Sequence, residues 1–125
     1  MLAMVIDDSR AMRSILRRIV GELGFEVVEA ADGQQALDLM DDGQVPQIAL
    51  IDWNMPVLDG LGFVTSVRSR QEWRDITLMM VTTESEHGQI VRALAAGAHE
   101  YVIKPFTADA IAEKLQLLGF AGVAS

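Results

Sequence analysis

Short apolar runs rich in branched side chains alternate along the chain with longer stretches in which apolar residues recur every three or four positions. The first run, Leu2 to Ile6, predicts a strand. The stretch after it spaces Met12, Ile15, Leu16, Ile19 and Leu23 as one apolar face of a helix. Four more pairs follow the same plan. Val27 to Ala30 precedes a helix carrying Ala36, Leu37 and Met40, and Ile48 to Ile51 precedes one carrying Phe63, Val64 and Val67. Leu78 to Val81 precedes a helix with Ile90, Val91, Leu94 and Ala95, and Tyr101 to Ile103 one with Ile111, Leu115 and Leu118.

Local punctuation agrees with this pattern. Gly24, Gly43, Gly97 and Gly119 stand just past helical stretches, where a left-handed residue commonly ends a helix. Ser9, Asp32 and Thr107 occupy expected N-cap positions, where a side-chain oxygen accepts from the first free amides. Five βα units in succession predict an α/β fold, a mostly parallel sheet with helices on both faces. The almost wholly apolar Ile48 to Ile51 marks a central strand, buried on both sides. Residues 1–120 read as one domain, with 121–125 as a short frayed C-terminal tail.

Composition narrows the functional classes. A net charge of −8 disfavours nucleic-acid and anionic-membrane partners, and it suits basic protein surfaces or a bound cation. No cysteine is present, and His87 and His99 are the sole histidines, so thiolate and histidine metal centres are excluded. Neither a secretion leader nor a membrane-spanning apolar stretch is recognisable, and a cytoplasmic location is expected.

In open α/β sheets, ligands bind beyond the carboxyl ends of the strands. The residues leaving those ends are Asp7 and Asp8, then Asp52, Thr82, and Lys104 followed by Pro105; the second strand offers Glu29 in a less telling place. Two like charges about 4 Å apart repel by roughly 4 kcal/mol at an effective dielectric near 20, so converging carboxylates call for a proton or a cation. Carboxylate oxygens favour Mg²⁺, Mn²⁺ or Ca²⁺, and Mg²⁺ leaves coordination positions for substrate phosphate. Either aspartate of Asp7-Asp8-Ser9 taken alone reads better as part of a helix cap, and only convergence with Asp52, Thr82 and Lys104 on the same edge favours the site. Asp52, on a rigid central strand, is the best nucleophile, able to form an acyl phosphate, with Lys104 as a point charge on phosphoryl oxygens.

Asp7-Asp8, the segment Asp52-Trp-Asn-Met-Pro-Val-Leu-Asp-Gly60, Val81-Thr82, and Tyr101-Val-Ile-Lys-Pro-Phe106 together resemble the response-regulator receivers, and most of all their stand-alone chemotaxis regulators. The resemblance runs collinearly over essentially the whole chain. It implies a flavodoxin-like (βα)5 sandwich with strand order 2-1-3-4-5. It also implies that Asp52 takes a phosphoryl group from a histidine kinase or phosphotransfer protein. Mg²⁺ would be held by Asp8, Asp52 and the Asn54 backbone carbonyl, with Asp7 acting through water. Lys104 and Thr82 would hold phosphoryl oxygens, Asn54 and Glu84 would tune dephosphorylation, and Lys104-Pro105 would be a cis peptide. Thr82 and Tyr101 would form a switch that alters a protein-binding face on the fourth helix, fifth strand and fifth helix. Candidate contacts on that face are Ile90, His87 and Lys114. Tyr101 reads as well as a half-buried strand aromatic, and Trp73 as a surface or edge packer. Thr83, where the family usually has a smaller residue, would restrict access to the phosphoryl group.

Two rival readings fit less well. A phosphohydrolase of the haloacid-dehalogenase type wants an aspartate at position 54, where this chain has Asn54. A flavodoxin-like cofactor binder wants a hydroxyl- and glycine-rich loop where Asp7-Asp8 stands. A receiver belonging to a larger regulator, hybrid kinase or phosphorelay shares the same chemistry. The expectation is a stand-alone regulator, monomeric when unphosphorylated, acting on a downstream target protein and turning over no separate substrate.

Overall fold

The computed structural model describes residues 1–83 and 87–120, and of His87 the backbone alone. Five strands and five helices alternate: β1 (Leu2–Ile6), α1 (Arg10–Glu22), β2 (Glu26–Ala30), α2 (Gly33–Asp41), β3 (Ile48–Asp52), α3 (Gly60–Ser69), β4 (Thr77–Thr83), α4 (His87–Ala96), β5 (Glu100–Lys104) and α5 (Ala108–Leu117), with a short 3₁₀ turn at Gln71–Trp73. The strands are all parallel in the order β2-β1-β3-β4-β5, the order implied by the resemblance.

The two-residue period of a strand divides the core. On one face Met4, Ile6, Ala49, Ile51, Leu78 and Met80 pack against Ala36 and Met40 of α2, Phe63, Val64 and Val67 of α3, and Ala93 of α4. On the other face Ala3, Val5, Ile48, Leu50, Met79 and Val81 pack against Leu16 and Val20 of α1 and Ile111 and Leu115 of α5. All five residues of β3 are buried, as a central strand requires.

The expected caps form. Ser9, Asp32 and Thr107 accept from the amides of Met12, Gln35 and Ala110, and the four helix-ending glycines all have positive φ. Asp59 is a fourth cap, accepting from Gly62 N–H at 2.8 Å. The Lys104–Pro105 peptide is cis.

Three expectations need correction. On α4 the buried residues are Ile90 and Ala93, while Val91, Leu94 and Ala95 are exposed. The helix seats a narrower stripe than its apolar residues suggest, so Ile90 is not available as a surface contact. On α1, Ile15 points outward at 40% exposure. Trp73 is buried in the core beside α3, with the Arg70 guanidinium 4.0 Å over its ring.

At the amino ends of the strands Arg68 acts as a hub, donating to the carbonyls of Gly97, Arg74 and Ile76 at 3.0, 3.0 and 2.8 Å. His99 Nδ1 accepts from Leu78 N–H at 3.1 Å and lies 3.3 Å from the same guanidinium. Burial, and then Arg68, push the His99 pKa below 6.5. The neutral ring is therefore the one the native state favours, and its contribution is present above pH 6.5 and lost as pH falls through the depressed folded value. NMR titration should find His99 protonating below 6.5, and Arg68→Ala should raise that midpoint.

Between β3 and α3, Val57 has φ 68° and Leu58 N–H donates to the Pro56 carbonyl at 2.7 Å. This is a γ-turn with positive central φ, a strained form and an uncommon one for a branched residue. Such strain costs about 1–3 kcal/mol, whereas glycine adds only about 0.5–1 kcal/mol of unfolded-chain entropy. Val57 is 82% exposed, so little packing is lost with its side chain. Val57→Gly should raise the urea midpoint, stabilising by about 1 kcal/mol with an unchanged m-value.

Candidate functional site

The sheet changes winding direction between β1 and β3, and the acidic residues gather at the carboxyl ends of those two strands. Ile6 pairs with Ile51, so Asp7 and Asp52 leave neighbouring strands side by side. Asp52 pairs with Val81, which puts Thr82 one step beyond, and Thr83 pairs with Lys104. Parallel register alone therefore collects the sequence-predicted residues on one edge. Asp7 and Thr82 are buried at 1% exposure and Asp52 at 9%, while Asp8, Asn54 and Thr83 are exposed.

Carboxylate oxygens of Asp7, Asp8 and Asp52 lie within 4.8 Å of one another. The ammonium of Lys104 sits 3.2 Å from Asp52 Oδ1 and 3.5 Å from Asp7 Oδ2. Asp7 is held further through its Oδ1, which accepts from Ser9 N–H at 2.8 Å, and through its own amide, which donates to the Ala30 carbonyl at 3.1 Å. Behind Asp52, α3 approaches so closely that a Cβ on Gly60 would lie 2.6 Å from the Asp52 carbonyl oxygen. Gly60 N–H donates to the Trp53 carbonyl at 3.0 Å, fixing the exit of β3.

One ammonium does not balance three carboxylates. Burial, and then the charge of Asp7, raise the Asp52 pKa from 3.8 to about 6 against the opposing pull of Lys104, with Asp8 adding to the rise. Burial works against the charge on Lys104, but Asp52 and Asp7 outweigh it and leave its pKa raised. A cluster of hard oxygen donors with excess negative charge fits a divalent cation such as Mg²⁺.

Tyr101 stands three residues before Lys104 on β5, half-buried, with the Lys114 ammonium 5.1 Å from its ring centroid. Glu84 lies outside the described residues, as does the His87 side chain. Sequence reasoning passed over Arg13. Its guanidinium donates to the Asp7 carbonyl oxygen at 2.7 Å and to Glu29 at 3.3 Å, and Arg17 donates to the other Glu29 oxygen at 2.7 Å. The signal available was an i, i+4 arginine pair on α1 opposite a lone acidic residue near the end of β2.

With this geometry established, comparison with known proteins is decisive. The family model for the response regulator receiver domain matches residues 3–116. The chain belongs to that family. This receiver is 38% identical over 119 residues to chemotaxis protein CheY1 of Helicobacter pylori, covering 94% of the chain and 96% of the relative. Among solved structures, chemotaxis protein CheY4 of Vibrio cholerae matches with a TM-score of 0.85 and 30% identity, over 93% of this chain and 96% of that one. The receiver domain of a sensor histidine kinase from Pseudomonas aeruginosa, solved with a magnesium ion coordinated in its active site cleft, matches with a TM-score of 0.83 and 26% identity, over 93% and 94% of the two chains. Among the described residues, no helix of the receiver is long and apolar enough to cross a membrane.

The raised pKa carries a stability consequence of definite sign. The native state binds a proton at Asp52 more readily than the unfolded chain does, so Asp52 stabilises at low pH and that contribution is lost as pH rises from 3.8 to about 6. Above that window the ionised group costs on the order of 1–3 kcal/mol. Without metal at pH 7.5, Asp52→Asn should be more stable than wild type by about that amount, and the gap should shrink towards pH 4 in parallel urea titrations.

Proposed function

We propose that this receiver is a single-domain response regulator whose Asp52 accepts a phosphoryl group from a phosphohistidine on a histidine kinase or phosphotransfer protein. The observation that carries the reading is the cluster of three carboxylates, two of them paired with the Lys104 ammonium, at the carboxyl edge of the sheet. Asp8, Asp52 and the Asn54 backbone carbonyl would hold Mg²⁺, with Asp7 contributing through water. Bound there, the ion would neutralise charge on the phosphoryl oxygens.

Each protein group has a defined task in this reading. An Asp52 carboxylate oxygen attacks phosphorus, the bond to the donor imidazole nitrogen breaks, and the electron pair leaves with the imidazole. Burial of Asp52 limits its hydration before attack. Lys104 already lies against Asp52 and is positioned to pair with phosphoryl oxygens. Thr82 supplies a hydroxyl on the neighbouring strand. A hydrogen bond to a charged phosphoryl group is worth roughly 1.5–3 kcal/mol, enough to shift a two-state loop about ten- to a hundredfold. Asn54, exposed beside the site, and Glu84 tune hydrolysis of the acyl phosphate. The receiver assists these steps on itself and turns over no other substrate.

The output is a protein-binding face on α4, β5 and α5, controlled through Thr82 and Tyr101. Exposed Val91, Leu94 and Ile103 support this assignment, as does a cavity of about 350 Å³ lined in part by Tyr101, Phe106, Ala110 and Lys114. Similarity to chemotaxis proteins across more than nine-tenths of the chain supports a chemotaxis-like role in the cytoplasm. The net charge of −8 supports a protein partner over nucleic acid or membrane.

Incubation with acetyl phosphate should add one phosphoryl mass to wild type only when Mg²⁺ is present, and none to Asp52→Asn. An adduct that persists in Asp52→Asn would refute the assignment. For the switch, beryllofluoride should move the amide resonances of Tyr101 and α4 in wild type. In Thr82→Ala those shifts should be largely lost although beryllofluoride still binds.

A further inference from the structure

We propose that Arg13 is a positioning residue for the cation site, acting through the peptide that joins Asp7 to Asp8. The inference rests on the reading of that site as a Mg²⁺ site. Arg13 projects from the first turn of α1, with its side chain 16% exposed, and donates to the Asp7 carbonyl oxygen at 2.7 Å. That oxygen belongs to the Asp7–Asp8 peptide, so the bond fixes the plane from which Asp8 leaves the strand. The remaining contacts of the turn act on Asp7: its amide on the Ala30 carbonyl, its Oδ1 under Ser9 N–H, its Oδ2 near Lys104. Asp8 is exposed, and among the described residues no side-chain hydrogen bond holds it. Its direction therefore depends on its two flanking peptides, the Asp7–Asp8 peptide that Arg13 orients and the Asp8–Ser9 peptide, whose N–H is held on Asp7 Oδ1.

Glu29 anchors Arg13 in turn. One carboxylate oxygen takes Arg13 and the other takes Arg17, and Arg17, followed by Arg13, holds the Glu29 carboxyl below the usual carboxylate range. The bridge ties α1, the end of β2 and the Asp7–Asp8 turn into one unit. Groups that orient metal ligands typically contribute 10- to 100-fold to affinity.

Charge and positioning predict opposite signs here, which makes the inference testable. A guanidinium near three carboxylates repels a cation, so simple electrostatics has Mg²⁺ bind more tightly once Arg13 is removed. Positioning has it bind more weakly. Calorimetric Mg²⁺ titration of the metal-free protein, at low salt and well below the urea midpoint of each variant, separates the two.

Arg13→Gln should weaken Mg²⁺ binding about tenfold. Arg13→Lys keeps the charge but cannot span both acceptors, and it should weaken binding several-fold; it serves as the second variant if Arg13→Gln folds poorly. Arg17→Gln removes the same unit charge from the same helix and the same Glu29 without touching the Asp7 carbonyl, and it should leave affinity unchanged or slightly higher. Equal or tighter binding by the Arg13 variants would overturn the proposal, as would equal weakening by Arg17→Gln. Failure of wild type to bind Mg²⁺ at all, together with no acetyl-phosphate adduct, would instead overturn the functional reading and this inference with it.

Discussion

Setting Asp7, Asp8 and Asp52 within 4.8 Å of one another against a single ammonium concentrates negative charge at the edge of a buried sheet. The arrangement opposes stability, as the elevated pKa of Asp52 records. It survives because the strands beneath are over-determined. Residues Ala3 to Ile6 and Ile48 to Ile51 are fully buried, and ladders on both sides hold β1 and β3. A slip of one residue in either strand would turn its core-facing side chains to the opposite face. Hydrophobic register thus holds like charges together, and the excess charge is of the kind a cation would relieve.

Strain elsewhere in the same turn region follows from that demand. Asp52 is the last residue of β3, and α3 begins at Gly60, whose missing side chain lets the helix abut the Asp52 carbonyl. The seven intervening residues must reverse direction over a short span, and they do so with Val57 in a left-handed conformation. Lost stability at catalytic or binding turns is a common companion of function. Here the two costs, electrostatic and conformational, fall within six residues of one another, at the end of β3 and in the loop that follows it.

Fold and site differ in how much of each was legible in the sequence. Strand and helix order, caps and turn glycines follow from local periodicity and side-chain chemistry. The edge residues followed too, because parallel strands present their carboxyl ends together. Phase on α4 was not legible: Ile90, Val91, Leu94 and Ala95 all read as core, and only docking against the sheet selects Ile90 and Ala93. Trp73 sits among polar neighbours and looked peripheral, yet the 3₁₀ turn folds it inward beneath Arg70. Arg13 was invisible for a different reason. Its acceptor is a backbone carbonyl, and a backbone acceptor leaves no mark in sequence.

Lys104 joins the site to the rest of the molecule. Its ammonium contacts Asp52 and Asp7, while its backbone belongs to β5, the edge strand that also carries Tyr101 and Glu100. Lys114 of α5 bridges to Glu100 at 3.2 Å and overlies Tyr101, so one strand links the acidic cluster to α5 within five residues. β5 is paired on one side only, whereas β3 is paired on both, so fewer ladder bonds oppose a shift of β5. Added charge on Asp52, as in the proposed acyl phosphate, would act on Lys104 and Thr82, and the compliant side of the sheet would take up the change. The rigid half of the fold holds the chemistry in place. On the β5 side Val91, Leu94 and Ile103 are exposed apolar residues.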